Sequence, residues 1–264
     1  MTNLRRELAP ITDAAWEEID DQARSFFRPL LTARKFLDVD GPHGFEYAAV
    51  SRGRLMVPPG QKPETVAYGV HQVQPLVEVR APFSLDIWEL DNIVRGAKDI
   101  DFAPMENAAR VLAKFEEDAI YRGFEHSSIH GLEEKTAHDA IPYNGEINAF
   151  MSSVTDGINT LRDAMVEGPY TLVVTPAVWS ELSSCVEGRP LKHHLEYLIE
   201  GPIITGPYVE KSFLVSTRGG DLELTIGQDI SIGYHSHDTE TVNLYFTESL
   251  TFSIHDPGVI VFFG

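Results

Sequence analysis

Two pairs of histidines are the residues whose type and spacing most directly suggest metal chemistry. His235 and His237 alternate in a segment that could present both imidazoles on one side of a strand, as zinc ligands do. The same segment has the composition of a polar turn between strands. His193 and His194 are adjacent in a predicted helix, where their side chains point about 100° apart and cannot chelate one ion. No metal site is predicted.

Three consecutive acidic residues, Glu116, Glu117 and Asp118, lie in a long predicted helix. Carboxyl groups serve as general acids and bases, but consecutive helical residues face different directions. A solvent-exposed face or a contact between subunits is therefore expected. The sequence also lacks a nucleophile elbow, a phosphate-binding loop, a dinucleotide-binding glycine motif and a C-x-x-C pair. No catalytic residue is predicted, and these absences speak against the alternative of a hydrolase or a bacteriocin-like lytic protein.

One tryptophan has neighbours suited to a ligand. Trp88 lies beside Asp86 and Glu89 and follows Arg80 by eight residues. An exposed indole and a guanidinium can together hold a flat ring through stacking and cation–π contacts. The alternative places Trp88 in the hydrophobic core.

The longest uninterrupted pattern in the chain runs from 218 to 254. Its even-numbered positions are mostly apolar and its odd positions mostly polar, which is the period-2 signature of strands with one buried face. Turns at 219–221, 227–229 and 235–240 divide it into long antiparallel strands. Within the strands, Glu248 is the only charge on the apolar parity, which predicts a bulge or a buried partner.

A helix over 104–122 is predicted to lie across this sheet. Apolar residues recur at helical spacing, namely Ala108, Val111, Leu112, Phe115, Ala119 and Ile120. Pro104 suits the first helical turn. Such a helix is about 28 Å long, enough to span the sheet.

Two further segments suggest surfaces that need a partner. Residues 11–37 form an amphipathic arm, with Thr12 as the expected N-cap and Pro29 expected to kink or break the helix. Residues 46–89 read as a long two-stranded excursion. An isolated hairpin of this size is marginal in water, so pairing with a neighbouring chain is expected, and folding back onto its own core is the alternative. Residues 131–218 have an α/β pattern and form a second lobe.

Composition limits the class of protein. A chain of 264 residues with 43% hydrophobic and 23% charged residues can bury a large core. The net charge of −19 argues against nucleic-acid binding, which needs Lys and Arg at the phosphates. Neither a long apolar run nor a signal-peptide pattern is present, so no membrane association is expected. The single cysteine, Cys185, suits a reducing cytoplasm.

Several short segments form a series whose order is informative. They are 8–20, 34–36, 38–42, 85–91, 167–170, 218–221 and 227–234. Together this series resembles the encapsulin shell proteins over essentially the whole chain. The resemblance implies an α+β fold like that of the tailed-bacteriophage major capsid protein. It implies an N-terminal helical arm at 1–45, an extended loop at 46–80, a peripheral domain at 81–130 and 218–264, and an axial domain at 131–217.

The same resemblance implies a self-assembling, non-catalytic shell subunit in the cytoplasm of a bacterium or archaeon. The shell would contain roughly sixty copies if the smallest icosahedral closure applies. It would enclose a dye-decolourising peroxidase or a ferritin-like iron oxidase, bound through the C-terminal tail peptide of that cargo. A viral major capsid protein is the alternative with the same fold, and the acidic balance argues against it.

The resemblance also assigns roles to individual residues. The cargo peptide is expected to lie between the arm and the sheet, in contact with Phe27, Leu30, Leu31, Arg34 and Asp38 on one wall and Asp229, Ile230 and Ile232 on the other. These residues could instead fasten the arm to its own sheet. Glu187, Gly188 and Arg189 are expected around a fivefold pore, where they would set its charge and width. A flavin is expected near Trp88 and Arg80, and no other cofactor.

Overall fold

The structure is a computed structural model that describes residues 3–62, 65–184, 186–187 and 189–264. The helices are α1 (Asp13–Leu30), α2 (Ile87–Arg95), α3 (Ala103–Tyr121), α4 (Leu132–Lys135), α5 (Ile147–Asp163), α6 (Pro176–Ser184) and α7 (Leu191–Ile199). The strands before α5 are β1 (Asp38–Asp40), β2 (Ala49–Met56), β3 (Val70–Pro75), β4 (Val77–Asp86), β5 (Gly123–Phe124) and β6 (Ile129–His130). The later strands are β7 (Tyr170–Val174), β8 (Val186–Glu187), β9 (Arg189–Pro190), β10 (Ile203–Thr205), β11 (Ser212–Ser216), β12 (Leu222–Ile226), β13 (Ser231–His237), β14 (Thr241–Ile254) and β15 (Ile260–Phe263).

A five-stranded sheet is built around β14, which is long enough to pair with three other strands. On one side it pairs with β12 and β13, and on the other with β4, all antiparallel. The short strand β1 adds in parallel to β12. The period-2 pattern between 218 and 254 is thus confirmed as a set of antiparallel strands, with residues such as Leu224, Leu244 and Phe252 buried.

Helix α3 packs against this sheet through β4 and β14, as the apolar spacing predicts. Its buried face includes Met105, Ala109 and Leu112. The prediction for Val111 is wrong, because this side chain is 66% exposed. Helix α1 packs on α3, and its Phe27 also contacts Phe246 of the sheet directly.

The two signals at the ends of α1 act as predicted. The hydroxyl of Thr12 accepts a hydrogen bond from the backbone N–H of Ala15 (3.3 Å), which caps the start of the helix. Pro29 lies in the last turn, and the helix ends one residue later, at Leu30. A 3₁₀ turn over Ala33–Lys35 follows and connects the arm to the body.

A second sheet, in the order β10-β7-β11-β15, forms the core of the second lobe together with α5, α6 and α7. Its last strand corrects the predicted domain boundary. Residues 260–263 were assigned to the peripheral domain, but β15 pairs antiparallel with β11 and belongs to the second sheet. Leu222, Leu250 and Phe252 of the first sheet share the hydrophobic core of this lobe.

The predicted excursion at 46–89 is present only in its first part, as the strand pair β2–β3, which forms its own two-stranded sheet. The predicted end of the extended loop at 80 is too late, because β4 begins at Val77 and pairs with β14 in the first sheet. Large apolar side chains are exposed along β2, β3 and the segment between them, namely Leu55, Met56, Val57, Val66, Tyr68, Val70 and Val73. Its base is fixed by Gln74, whose side-chain amide donates to the carbonyl oxygens of Ser127 and Ser128 (3.0 Å each). No helix of the described ranges has the length and apolar character needed to cross a membrane.

Candidate functional site

A cleft of about 470 Å³ lies between the arm helix α1 and the strand β13. Six of the eight residues predicted to bind a cargo peptide line it: Phe27, Leu31, Arg34, Asp229, Ile230 and Ile232. The other lining residues are Leu4, Arg6, Asp20, Ala23, Arg24, Ser231 and Phe246. The predicted meeting of arm and sheet therefore exists within one chain.

The apolar base of the cleft consists of aromatic rings in contact with one another. Phe27 of α1 meets Phe246 of β14 edge to face, with ring centroids 4.9 Å apart and planes at 83°. Phe246 in turn lies 4.8 Å from Phe83 of β4. Aromatic pairs in this arrangement add specific attraction to the burial of their area. Helical spacing places Ala23 and Phe27 on the same side of α1, which gives the cleft one continuous apolar wall.

Two of the predicted peptide contacts lie elsewhere. Leu30 is buried in the core between the arm and α3 rather than in the cleft. Asp38 lies on β1, where its carboxylate accepts a hydrogen bond from the backbone N–H of Gly220 (2.6 Å). Gly219 and Gly220 both have positive φ, 88° and 83°, and Asp38 thus supports a glycine turn. Within this chain it is separated from the cleft because β1 adds to the sheet beside β12, not β13.

The N-terminal segment forms a third wall that sequence reasoning missed. The carbonyl oxygen of Leu4 accepts a hydrogen bond from the backbone N–H of Tyr234 (2.8 Å) at the outer edge of β13. Arg6 forms two hydrogen bonds to the carboxylate of Asp20 (2.8 and 3.1 Å) and stacks over the ring of Trp16 at 3.9 Å. In the sequence, the position of Arg6 just before the amphipathic helix is the feature that could have indicated these contacts.

Arg34 connects four parts of the molecule at the base of the cleft. Its Nε and Nη2 both donate to the carboxylate of Glu116 (2.8 Å each), and its Nη1 donates to Asp229 (2.9 Å). Its Nη2 also donates to Glu248. Burial alone would lower the pKa of Arg34, but the hydrogen bonds and charge of Glu116, with the charges of Glu248 and Asp229, raise it above its usual value. The buried partner predicted for Glu248 is therefore Arg34.

Glu117, the neighbour of Glu116 on α3, holds the start of the 3₁₀ turn. Its carboxylate accepts a hydrogen bond from the backbone N–H of Ala33 (2.8 Å) and another from the hydroxyl of Thr32. Tyr121 shares a hydrogen bond with the same hydroxyl (2.9 Å). Burial raises the pKa of Glu117 to about 7, with its hydrogen bonds acting in the opposite direction.

The expectation that Glu116 and Glu117 form a solvent-exposed or subunit-contacting face is wrong, since both are completely buried within the chain. Helix α3 is covered on two sides, and consecutive residues facing different directions therefore both meet protein. One feature of the sequence did indicate a buried ionic cluster, namely Glu248, an isolated charge on a buried strand face that needed a cation. The sequence did not indicate that this cation is Arg34 or that Glu116 shares it.

Trp88 is 68% exposed at the start of α2, so its interpretation as a core residue is wrong. The cation beside it is Arg95, whose guanidinium lies 5.7 Å from the ring centroid. Arg80 instead pairs with Glu78 (2.7 Å) and lies 5.0 Å from the ring of Tyr245. Six residues of β4 separate Arg80 from the start of α2, roughly 20 Å in a strand. The structure does not bring the predicted pair together.

The predicted pore loop coincides with the strand pair β8–β9, in which the backbones of Glu187 and Arg189 are opposite each other. Gly188 and the side chains of Glu187 and Arg189 lie outside the described residues, so the pore assignment stays a prediction. Elsewhere, His237 bonds to the hydroxyl of Tyr234 (2.6 Å) and His235 to that of Ser236 (3.1 Å). Among the described residues, no three or more His, Cys, Asp or Glu side chains are arranged so that they could hold a metal ion.

The arrangement of the two sheets, the long helix α3 and the extended strand pair defines the fold of tailed-phage capsid proteins. The chain is similar to the protein of a virus-like particle from Pyrococcus furiosus, with a TM-score of 0.67, 18% identity, and coverage of 96% of this chain and 98% of that one. It is also similar to the capsid protein of Myoviridae phage XM1, with a TM-score of 0.56, 10% identity, and coverage of 89% and 92%. The predicted fold class is confirmed.

Sequence similarity defines the family more closely. The profile of the family described as encapsulating protein for peroxidase matches residues 1–251. A type 1 encapsulin shell protein of Rhodococcus erythropolis is 38% identical over 99% of both chains. One of Rhodospirillum rubrum is 40% identical over 99% of this chain and 96% of its own. The chain belongs to the encapsulin family of shell proteins, which are not enzymes.

Proposed function

We propose that this protein is the self-assembling shell subunit of an encapsulin nanocompartment. The observation that carries the proposal is the excursion formed by β2, β3 and the segment between them. It exposes seven large apolar side chains, four of them on a sheet of only two strands. Exposed apolar surface of this extent marks an interaction site. Family membership indicates the partner: further copies of the same chain, roughly sixty in the smallest closed shell.

We further propose that the cleft binds the C-terminal tail peptide of an enclosed enzyme. The apolar wall of Phe27, Leu31 and Ile232 suits an extended peptide with apolar side chains. Among the described residues, no strand pairs with the outer edge of β13, which bonds there to Leu4. The three arginines that line the cleft already have partners, because Arg6 is paired with Asp20, Arg34 with Glu116 and the exposed Arg24 with Asp21. Apolar contacts, not salt bridges, are therefore expected to dominate the affinity.

The enclosed enzyme is proposed to be a dye-decolourising peroxidase or a ferritin-like iron oxidase, in the cytoplasm. The description of the matching family, encapsulating protein for peroxidase, supports the first of these. The strand pair β8–β9 is proposed to surround a fivefold pore for small solutes, with Glu187 and Arg189 setting its charge. A flavin is proposed at Trp88, with Arg95 in the place first assigned to Arg80.

The assembly proposal is tested by size-exclusion chromatography and negative-stain microscopy of the purified protein. Uniform closed spheres are expected, and a stable monomer or dimer would contradict the proposal. The absorbance ratio of the particles at the protein and nucleic-acid maxima separates a nanocompartment from a viral capsid. Particles that retain nucleic acid would favour the capsid alternative.

The peptide proposal is tested by co-expressing the shell with a fluorescent protein that carries the C-terminal tail of a dye-decolourising peroxidase. Fluorescence should copurify with the shells, and Ile230→Ser, which changes a partly buried residue that lines the cleft, should empty them while preserving their shape. The matched control is Leu8→Ser, an exposed apolar residue outside the cleft. Equal loading of all three shells would contradict the assignment of the cleft.

A further inference from the structure

The base of the cleft contains more acid than base. The carboxyl groups of Glu116, Asp229 and Glu248 all contact the single guanidinium of Arg34. If all three were ionised, the group would carry two uncompensated negative charges, although Glu116 and Glu248 are completely buried. Buried unpaired charge is costly, and a carboxyl group in this position avoids it by keeping a proton.

The geometry indicates which carboxyl group keeps the proton. Both oxygens of Glu116 accept hydrogen bonds from Arg34, which is the bidentate arrangement of an ionised pair. Glu248 shares the Nη2 atom with Glu116, so the two carboxyl groups meet at one nitrogen. The second oxygen of Glu248 is buried and has no hydrogen-bond partner among the described residues. A neutral carboxyl tolerates that position better than a carboxylate.

The pKa of Glu248 agrees with this assignment. Burial raises it well above its usual value, and the nearby carboxylate of Glu116 raises it further, while Arg34 lowers it. Asp229 differs from both, because it is half exposed at the end of the cleft and solvent can screen its charge.

The other titratable groups around the cluster do not supply a second cation. On α3, Glu117 and Tyr121 face the hydroxyl of Thr32 instead. On β4, Val79 is the register partner of Glu248. Its neighbours Glu78 and Arg80 point to the opposite face, where they are exposed and paired with each other.

We propose that Glu116 and Glu248 are positioning residues of the cleft, and that they hold Arg34 in its wall with the help of one proton kept on Glu248. The positioning role rests on the proposed peptide site, whereas the proton does not. Arg34 lies in the 3₁₀ turn that follows the arm helix, and its partners lie on α3, on β14 and beside β13. Transfer of the proton to a base in solvent leaves two buried carboxylates facing each other, which loosens the turn and shifts the arm relative to the sheet.

Infrared spectroscopy of the assembled wild-type shell tests the proton directly. The carbonyl stretch of a neutral carboxyl group is separate from the stretches of a carboxylate. As pH rises through the pKa of Glu117, about 7, this band should lose the part that comes from Glu117, and a residual band from the proton on Glu248 should remain. The residual band should be absent in Glu248→Gln and present in Glu117→Gln. A wild-type shell without the residual band would overturn the proposal, and this measurement requires no variant to fold.

Hydrogen–deuterium exchange tests the positioning role without any cargo. Protection of the turn Ala33–Lys35 and of the end of α1 should fall at high pH in the wild type, after correction for the intrinsic exchange rate. Above the pKa of Glu117, about 7, this neighbour is ionised in both proteins. In that range the protection in Glu248→Gln should be independent of pH, because the glutamine keeps a neutral side chain of the same shape. The control is Glu106→Gln, which removes an exposed carboxylate from α3, the helix that carries Glu116, and should behave as the wild type does.

The outcomes separate this inference from the proposed function. If wild type and Glu248→Gln share one pH profile of protection, the positioning role is wrong, whether or not the shells carry cargo. If the profile differs as expected but fluorescent cargo never copurifies, the proton-dependent positioning of Arg34 is supported and the peptide site is wrong. If the profile differs and the loading of wild-type shells decreases at high pH while that of Glu248→Gln does not, both are supported.

Discussion

Two regions of the molecule treat unfavourable side-chain environments in opposite ways. One is the arm joint, by which we mean Arg34 with Glu116, Asp229 and Glu248, and the other is the β2–β3 excursion. At the joint, buried charges find nearly all their partners inside one chain, with Arg34 bound to Glu116, Asp229 and Glu248. At the excursion, apolar side chains that would normally be buried are exposed, Val66 at 85% and Val57 at 65% among them. The first region is complete in the single chain, and the second needs other copies. Substitutions should therefore affect folding at the joint and assembly at the excursion.

The largest effect is expected at the excursion. Leu55→Asp combined with Tyr68→Asp places charges in a surface that must be covered by a neighbouring subunit, and closed shells should be lost. The chain itself should stay folded, because these side chains contribute little to its own core. Analytical ultracentrifugation with circular dichroism measures both properties. Gln72→Glu, a charge added at an exposed polar position of β3, is the control and should assemble. Loss of folding in the double variant would contradict the claim that the excursion serves assembly and not the folding of the single chain.

The next largest effect is expected at the joint. Arg34→Ala leaves the carboxyl groups of Glu116 and Glu248 buried without a cation. The free energy of unfolding should therefore fall by about 3–5 kcal/mol, the typical cost of removing one partner of a buried ion pair. Arg80→Ala removes an exposed arginine from its pair with Glu78, and exposed pairs contribute about 0–1 kcal/mol. Denaturant titration of subunits dissociated from the shell compares the two. Similar losses for both variants would contradict the structural role of Arg34.

These two regions also show how far the sequence could lead. The strands and α3 were predictable because their apolar residues repeat with the period of the element, and the cleft was predictable in part because the resemblance places arm and sheet together. The burial of Glu116 and Glu117 was not predictable. Periodicity reports only which face of a helix is apolar, whereas the second cover on α3 comes from the arm joint, about eighty positions earlier in the chain.

Two residues lie away from the neighbours expected for them, and in both cases an extended strand accounts for the separation. The resemblance places Asp38 on the same wall as Arg34, yet Asp38 lies on β1, where it accepts a hydrogen bond from Gly220 outside the cleft. Arg80 was expected beside Trp88 because the two are close in sequence, and the extended strand β4 separates them. Short separation along the chain implies contact in a helix or a turn, but in a strand it implies distance.

A smaller, pH-dependent change in stability is expected from Glu117, which holds the turn that carries Arg34. The pKa of Glu117 in the folded chain is about 7, above its usual value of 4.5. The folded state therefore binds this proton more tightly than the unfolded state, and the associated stability is complete below about pH 4.5 and lost as pH rises through 7. The free energy of unfolding should decrease across this window by less in Glu117→Gln than in the wild type. Parallel pH profiles would show that Glu117 ionises freely.

The smallest effect on stability is expected at Trp88. Because its side chain is exposed, Trp88→Ala should change the free energy of unfolding by about 0.5 kcal/mol or less. If flavin binds there, the variant should nevertheless lose the visible absorbance of flavin from purified shells, and Arg95→Ala should weaken it more than Arg80→Ala. Shells of the wild type that remain colourless after incubation with flavin mononucleotide would remove the cofactor proposal.

Strand β15 has a practical consequence for attempts to recombine shells. The second lobe cannot be transplanted as one continuous block of residues 131–217, because its sheet takes its outer strand from 260–263. A graft that omits this strand would turn β11 into an unprotected edge and uncover Phe213, and open edges of this kind promote aggregation. Chimaeras that exchange the lobe together with β15 should remain soluble, whereas those cut at the apparent boundary in the sequence should precipitate.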